Sequence, residues 1–519
     1  MKQQKTHWHD RVTAQRIPTE AFVAGRRATL QSEDIYEIFN PATGKPLGAV
    51  PILGEQDVNS AVSAARAAFD SGVWSQSAPA ERKAVLLRLA ALLEDHAEEL
   101  ALLESLNTGK PISDALAVDI PSAVSAIAWY GEAVDKIYDD VAPTANDVMA
   151  FITREPIGVV AAVVPWNFPL LMACWKVAPA LAAGNSVLLK PAELTPLTAI
   201  RLAELAQEAG IPDGVFNVVT GTGPVTGRAL GLHMDVDAIT FTGSTAIGKQ
   251  FMAYSSQSNL KRVSLECGGK SPNIVMADCR DLDEAALAAA FGIFFNQGEV
   301  CCAGSRLLVQ DSIKDAFLEK LITQAAEFVA GDPLDPDTTL GALISQPHMA
   351  KVQSLIASAH DEGANLLCGG EQVRAESGGF FLEPTVFDGV SQDMTIGREE
   401  IFGPVLSVMD FATPDEAVQI ANNSIYGLGA GLWTSNIDTA LTMSKRIKAG
   451  TVWVNNYDES DITVPFGGYK QSGIGRDKSL QALSFFQETK TTWISSSGII
   501  GIDQGKADPV CAMPLSGKE

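Results

Sequence analysis

From residue 157 to 243 the chain carries four short apolar runs, "IGVVAAVVP", "SVLLK", "VFNVVTG" and "AITFTG", several of them separated by helical segments. Runs of this kind, apolar without alternation, are what strands buried on both faces require. Thr195-Pro196 opens one of the intervening helices with a cap residue and a first-turn proline, and Gly210 with Pro212 closes it. Strands alternating with helices predict βαβ units and a parallel sheet covered on both sides, the architecture of nucleotide-binding proteins.

The alternation resumes after Gly268. Helical patterns lie near 283–296, 313–329, 346–362 and 436–448, with strand-like runs at "RLLV", "VLSVM" and "TVWVN". A second α/β domain is the simplest reading, because 519 residues exceed what one core of about 250–300 residues accommodates. Upstream, Val85, Leu86, Leu89, Leu92 and Leu93 recur at helical spacing, so residues 79–106 are expected to form one amphipathic helix ended by Asn107-Thr108-Gly109. His96 has no ligand set around it and reads as a structural or surface residue. There is no internal repeat, and residues 498–519 lack periodicity and read as a tail.

A net charge of −24 argues against a nucleic-acid partner, which needs a basic face. No uninterrupted apolar stretch of about 18 residues suggests a membrane span, and the first ten residues lack the apolar core of a secretory signal. Cysteines 174, 267, 279, 301, 302, 368 and 511 show neither disulfide-framework nor metal-site spacing, so reduced thiols, a cytoplasmic location and no metal are expected.

Four places carry chemistry. "FTGSTAIGK" puts Gly243 and Ser244 between a strand and a helix N-terminus, where backbone N–H groups favour a pyrophosphate, although such turns serve packing as often. Lys190 and Glu193 in "LLKPAE" follow a buried strand, at the edge where α/β sheets bind ligands; together they suit the hydroxyls of a ribose, or form an ordinary surface pair. Glu266 in "SLECGGKSP" ends an apolar strand, where desolvation raises a carboxyl pKa towards that of a neutral-pH base, unless it is a charged strand end at the surface. The adjacent Cys301 and Cys302 in "NQGEVCCAGSR" lie in a glycine-flanked loop that presents one thiol to a cleft, unless both are small core hydrophobes.

"PWNFPL" (165–170), "KPAE" (190–193), "FTGST" (241–245), "LECGGK" (265–270), "GEVC" (298–301), "EEIFGPV" (399–405) and "PFGGYKQSGIGRD" (465–477) together resemble the aldehyde dehydrogenase superfamily, over about residues 20–497. The resemblance implies that family's α/β fold: a Rossmann-like NAD domain (1–137 and 157–267), a second α/β catalytic domain (268–475), a small β oligomerisation element (138–156 and 476–497) and a tail (498–519). It assigns Cys301 as nucleophile with Cys302 as a packing neighbour, Glu266 as general base, and the Asn167 amide with the Cys301 backbone N–H as oxyanion donors. Lys190 and Glu193 would hold the adenine ribose, Gly243 and Ser244 the pyrophosphate, and Glu400, Phe402 and Trp166 the nicotinamide side. Glu193 would repel a 2′-phosphate, favouring NAD over NADP. Glu299 stands where the family commonly has Gln, and Cys267 where it commonly has Leu.

Within the family the chain resembles bacterial γ-glutamyl-γ-aminobutyraldehyde and 4-guanidinobutyraldehyde dehydrogenases of polyamine and arginine breakdown, through "DIPSA", "WNFPLLMACWK" and "VNNYDESDITVPFGGYKQSGIGRDKSLQAL". That likeness places Phe168, Trp175, Trp129 and Tyr130 along the substrate tunnel. It puts Asp458, Glu459 and Asp461 at the entrance, where acids favour an aldehyde with a cationic far end, unless the acids form an ordinary solvated loop and Trp129 and Tyr130 are core. The alternatives are a general aliphatic or betaine aldehyde dehydrogenase, a CoA-acylating relative, which Glu266 argues against, and a non-catalytic structural or cofactor-binding relative. The family also implies a homodimer or homotetramer.

Overall fold

The computed structural model describes residues 2–28 and 33–495, so the tail of the sequence reading lies outside the described residues. The four apolar runs form the centre of an eight-stranded sheet. Its parallel strands run side by side as Phe216–Val218, Ser186–Lys190, Val159–Val163, Ala238–Gly243 and Arg262–Cys267. The chain steps outward from Val159–Val163 on one side and returns for Ala238–Gly243 on the other. This reversal opens a crevice at the carboxyl ends of those two strands.

A seven-stranded sheet follows, with Pro272–Val275 lying between Arg306–Gln310 and Gly429–Trp433, parallel to both. Its predicted helices occur as Leu282–Phe294, Lys314–Ala325, Gln346–Asp361 and Ile437–Arg446. A third, antiparallel sheet joins Asp140–Ala142, Val148–Pro156 and Gln487–Ser495.

Three expectations change. Residues 79–106 form two helices, Pro79–Asp95 and Ala97–Thr108, because His96 leaves the helical region (φ −100°, ψ 18°). The His96 imidazole Nδ1 lies 2.7 Å from Glu99, and Gly109 ends the second helix in the left-handed conformation (φ 82°). The last strand of the antiparallel sheet also starts later than the expected 476. Gly473–Ile474 pairs with Leu265 and Glu266 in the first sheet, and Ala482, Leu483 and Phe486 are buried in the first core, so the antiparallel arm starts at Gln487. Finally, the helical stretch Ile112–Lys136 is long and apolar enough to cross a bilayer by length and composition. Its Ala123, Ala126, Ile127 and Tyr130 are instead core residues of the first domain.

Candidate active site

A cavity of about 590 Å³ runs from the crevice of the first sheet to the second. Cys301 reaches it through an unusual turn. After helix Leu282–Phe294, Asn296, Gln297 and Gly298 adopt successive left-handed conformations (φ 48°, 58° and 72°). Such strain in non-glycine residues persists only when the surroundings fix it. Here Gln297 Oε1 accepts from Gly341 N at 3.1 Å, Glu299 Oε1 accepts from Ile344 N at 3.0 Å, and Asn296 Nδ2 donates to Glu299 O at 3.2 Å. A Cβ on Gly298 would stand 2.2 Å from Gly403 O, so only glycine fits.

Cys301 emerges half-buried on the cavity wall. Cys302 is 5 % exposed, its Sγ donates to Asp458 Oδ1 at 3.1 Å and its carbonyl accepts from Tyr457 Oη at 2.7 Å. Cys301, burial and Asp458 together push the Cys302 thiol well above its ordinary pKa. Cys302 is thus more than packing: it holds the inner end of the acidic loop.

Glu266 sits in register with Thr242 on the neighbouring strand and is 3 % exposed. Among the described residues its Oε1 has no hydrogen-bond partner. Burial, then Asp477 and Cys301, raise its pKa well above the carboxylate range, while Lys176 and Arg476 oppose. A buried carboxyl facing a thiol, with its pKa held above the ordinary carboxylate range, has the properties of a general base. Asn167, in the segment following strand Val159–Val163, donates from Nδ2 to Glu299 O at 2.8 Å. That bond orients the amide, and a primary amide keeps a second N–H free.

The link between the two sheets runs through the site. Four residues, Gly268–Ser271, carry the chain from strand Arg262–Cys267 to strand Pro272–Val275. A Cβ on Gly269 would lie 2.6 Å from Cys301 O, and Gly269 N donates to Glu400 Oε1 at 2.9 Å.

On the cofactor side, Gly243 and Ser244 line the crevice. Ser244 caps helix Thr245–Gln257, accepting from Ile247 N at 3.4 Å. Trp166 meets Phe402 edge to face at 5.2 Å, and Phe402 is itself left-handed (φ 60°). Lys190 Nζ is 3.7 Å from Glu193 Oε2 and donates to Pro191 O at 3.0 Å. This pair lies outside the cavity lining, at the carboxyl end of the next strand out. A helix N-terminus at the crevice, a charged pair beside it and an open path to Cys301 fit a dinucleotide.

Along the channel Phe168 and Trp175 line the wall, as do Asp458, Glu459 and Asp461. Glu459 and Asp461 are exposed and Asp458 is half-buried. Trp129 and Tyr130 do not line it, correcting the expectation. Helix Ile120–Ala133 turns Ser122 and Ser125 towards the cavity, whereas Tyr130 falls on the core stripe, fully buried, and donates to Ser479 O at 3.0 Å. Trp129 packs edge-on against Tyr130 at 4.8 Å.

Sequence reasoning missed several neighbours. Lys176 Nζ and Asp477 Oδ2 form a buried ion pair at 2.5 Å across 301 residues, next to Glu266. Both stood inside quoted motifs, yet only the fold shows the pairing. His348 and Lys351 also line the cavity; the His348 ring stands 5.3 Å from Trp166, with burial lowering its pKa to about 4.

A half-buried thiol, a buried carboxyl and an oriented amide on one cavity, beside a dinucleotide crevice, define an oxidoreductase of the covalent-cysteine type. The chain belongs to the aldehyde dehydrogenase family, whose model matches residues 28–492. It is 54 % identical over 489 residues to the "NADP/NAD-dependent aldehyde dehydrogenase PuuC" of Escherichia coli K12, covering 94 % of this chain and 98 % of that one. Among solved structures, an indole-3-acetaldehyde dehydrogenase with NAD+ shares 55 % identity at a TM-score of 0.94, covering 95 % of this chain and 99 % of that one. A γ-glutamyl-γ-aminobutyraldehyde dehydrogenase from Burkholderia cenocepacia J2315 shares 55 % at a TM-score of 0.93, with the same coverage. The protein is an NAD-dependent aldehyde dehydrogenase with that family's fold.

Proposed function

We propose that the chain oxidises nitrogen-bearing aldehydes, carrying an amino, guanidino or γ-glutamylamino group at the far end, to carboxylates. The observation that carries the chemistry is that Cys301, Glu266, Asn167, Gly243 and Glu400 all face one cavity. The Cys301 thiolate attacks the aldehyde carbon, and the free Asn167 N–H with the Cys301 backbone N–H receives the charge on oxygen, worth about 3 kcal/mol per donor. Bound NAD would supply the hydride acceptor, and loss of hydride turns the Cys301 adduct into a thioester. Glu266 then takes a proton from water as it attacks the thioester, the C–S bond breaks, and Cys301 returns. Lys190 and Glu193 would hold the adenine ribose, Gly243 and Ser244 the pyrophosphate, and Glu400, Phe402 and Trp166 the nicotinamide end, with Glu193 favouring NAD over NADP.

The acids Asp458, Glu459 and Asp461 support the substrate class, as does the name of the Burkholderia relative. A second reading, an aromatic aldehyde, is favoured by the Trp175, Trp453 and Phe466 walls and the name of the indole-3-acetaldehyde relative. NADH formation with 4-aminobutanal, 4-guanidinobutanal, γ-glutamyl-4-aminobutanal, indole-3-acetaldehyde and butanal separates them. A nitrogen-bearing aldehyde is expected to exceed butanal by more than about tenfold in kcat/KM; parity with butanal, or a preference for the indole, would overturn the assignment.

We also assign a homo-oligomer, dimer or tetramer. The antiparallel arm leaves Val141, Met149, Trp493 and Ile494 exposed, apolar surface that a second subunit would cover. The six described cysteines are unpaired, which suits the cytoplasm.

A further inference from the structure

One charge on the channel wall has no part in the reaction so far. Lys478, directly after Asp477, is 2 % exposed and lines the cavity. Its ammonium stands 5.2 Å from the ring centroid of Trp175 and 6.0 Å from that of Phe466, and donates to Ser460 Oγ at 2.8 Å. That bond uses one of three donors, and among the described residues no carboxylate lies within ion-pair distance. Burial lowers the Lys478 pKa, opposed by Asp461, Cys302 and Asp458.

The backbone holds this lysine in place from both sides. Lys478 and Ser479 are consecutive residues with positive φ (62° and 51°). Asp477 and Phe466 exchange both backbone hydrogen bonds at 2.8 Å, Ser479 N donates to Ile462 O at 2.8 Å, and Tyr130 Oη closes on Ser479 O. A strained bend fixed at four points is a preorganised side-chain mount. A buried ammonium with unused donors repels a free amine that reaches it and attracts an anionic oxygen.

We infer that Lys478 receives a carboxylate of the substrate, so that the preferred aldehyde ends in an α-amino acid, its carboxylate on Lys478 and its ammonium towards Glu459 and Asp461. The inference rests on the charged-chain reading above and narrows it: the mouth reads both signs, and Lys478 is the specificity-determining residue.

Lys478→Met is the direct test. KM for γ-glutamyl-4-aminobutanal is expected to rise at least about tenfold with kcat retained, kcat/KM for 4-aminobutanal to improve, and butanal kinetics to stay within about twofold. A parallel fall on all three aldehydes, or no change on any, overturns the role. If the variant does not fold, the unmodified enzyme decides: replacing the α-carboxylate of the glutamyl substrate by a carboxamide is expected to cost about tenfold in kcat/KM, and equal rates overturn the inference. An unmodified enzyme that takes butanal as well as every charged aldehyde overturns the charged-chain reading as a whole, whereas a preference for 4-aminobutanal over the glutamyl aldehyde overturns Lys478 alone.

Discussion

At the floor of the cavity Glu266, Asn167 and Cys302 are at most 5 % exposed, and the nearest charges, Lys176 and Asp477, are buried as a pair. At its mouth Glu459 and Asp461 stand in solvent beside a loop whose neighbouring charges have both signs. Desolvation makes an isolated charge expensive at the floor, so ions there come in pairs and one substitution disturbs its neighbours. Solvent screens the mouth, where a substitution shifts preference by small steps. Chemistry is set where change is costly, whereas choice of substrate is divided between these exposed acids and the buried Lys478.

The sharpest break of this contrast is between adjacent thiols. Cys301→Ala is expected to lower NADH formation by at least about 10³-fold, while Cys302→Ala stays within about tenfold, read from steady-state rates. Next in size is Glu266→Gln, expected to keep a rapid stoichiometric burst of NADH but lose about 10²–10⁴-fold in steady-state turnover. The base works ionised and its pKa is raised, so the unmodified rate climbs with pH through an ionisation above the carboxylate range. The variant loses that limb.

Lys176→Met leaves Asp477 buried without its partner and is expected to cost about 3–5 kcal/mol, read as a lower Tm. It also removes a charge that holds the Glu266 pKa down, so any residual pH profile moves upward. The smallest effect belongs to the mouth. Burial raises Asp458 to about 6, so its charge is present above that pH and lost below it. The preference for 4-aminobutanal over butanal is expected to grow a few-fold from pH 5 to 7, and in Asp458→Asn to stay flat.

Features set by local chemistry were legible in the sequence: the apolar runs of the first sheet, the helix stops at Gly109 and Gly210, and the helix start near Ser244. The positions of Cys301, Glu266 and Asn167 were legible because motifs carry them in fixed order. What stayed hidden depends on distant partners. Helical spacing ran through His96 because apolar residues continue on both sides of it, and only backbone angles mark the break. Tyr130 looked like a tunnel residue because an aromatic suits a wall or a core equally, and its bond to Ser479 spans 349 residues. Lys176 with Asp477, and Lys478 with Trp175, belong to the same class of long-range pairing.

The four-residue link Gly268–Ser271 has a consequence for how the enzyme fails. Glu266 is carried by the first sheet, whereas the strand that follows Cys301 belongs to the second, and the link at Gly269 abuts the Cys301 carbonyl. Turnover therefore depends on how one sheet packs against the other. Heat or denaturant that parts them by an ångström or two would silence the enzyme while both sheets still give native circular dichroism, making activity the most sensitive gauge of whether the halves are docked.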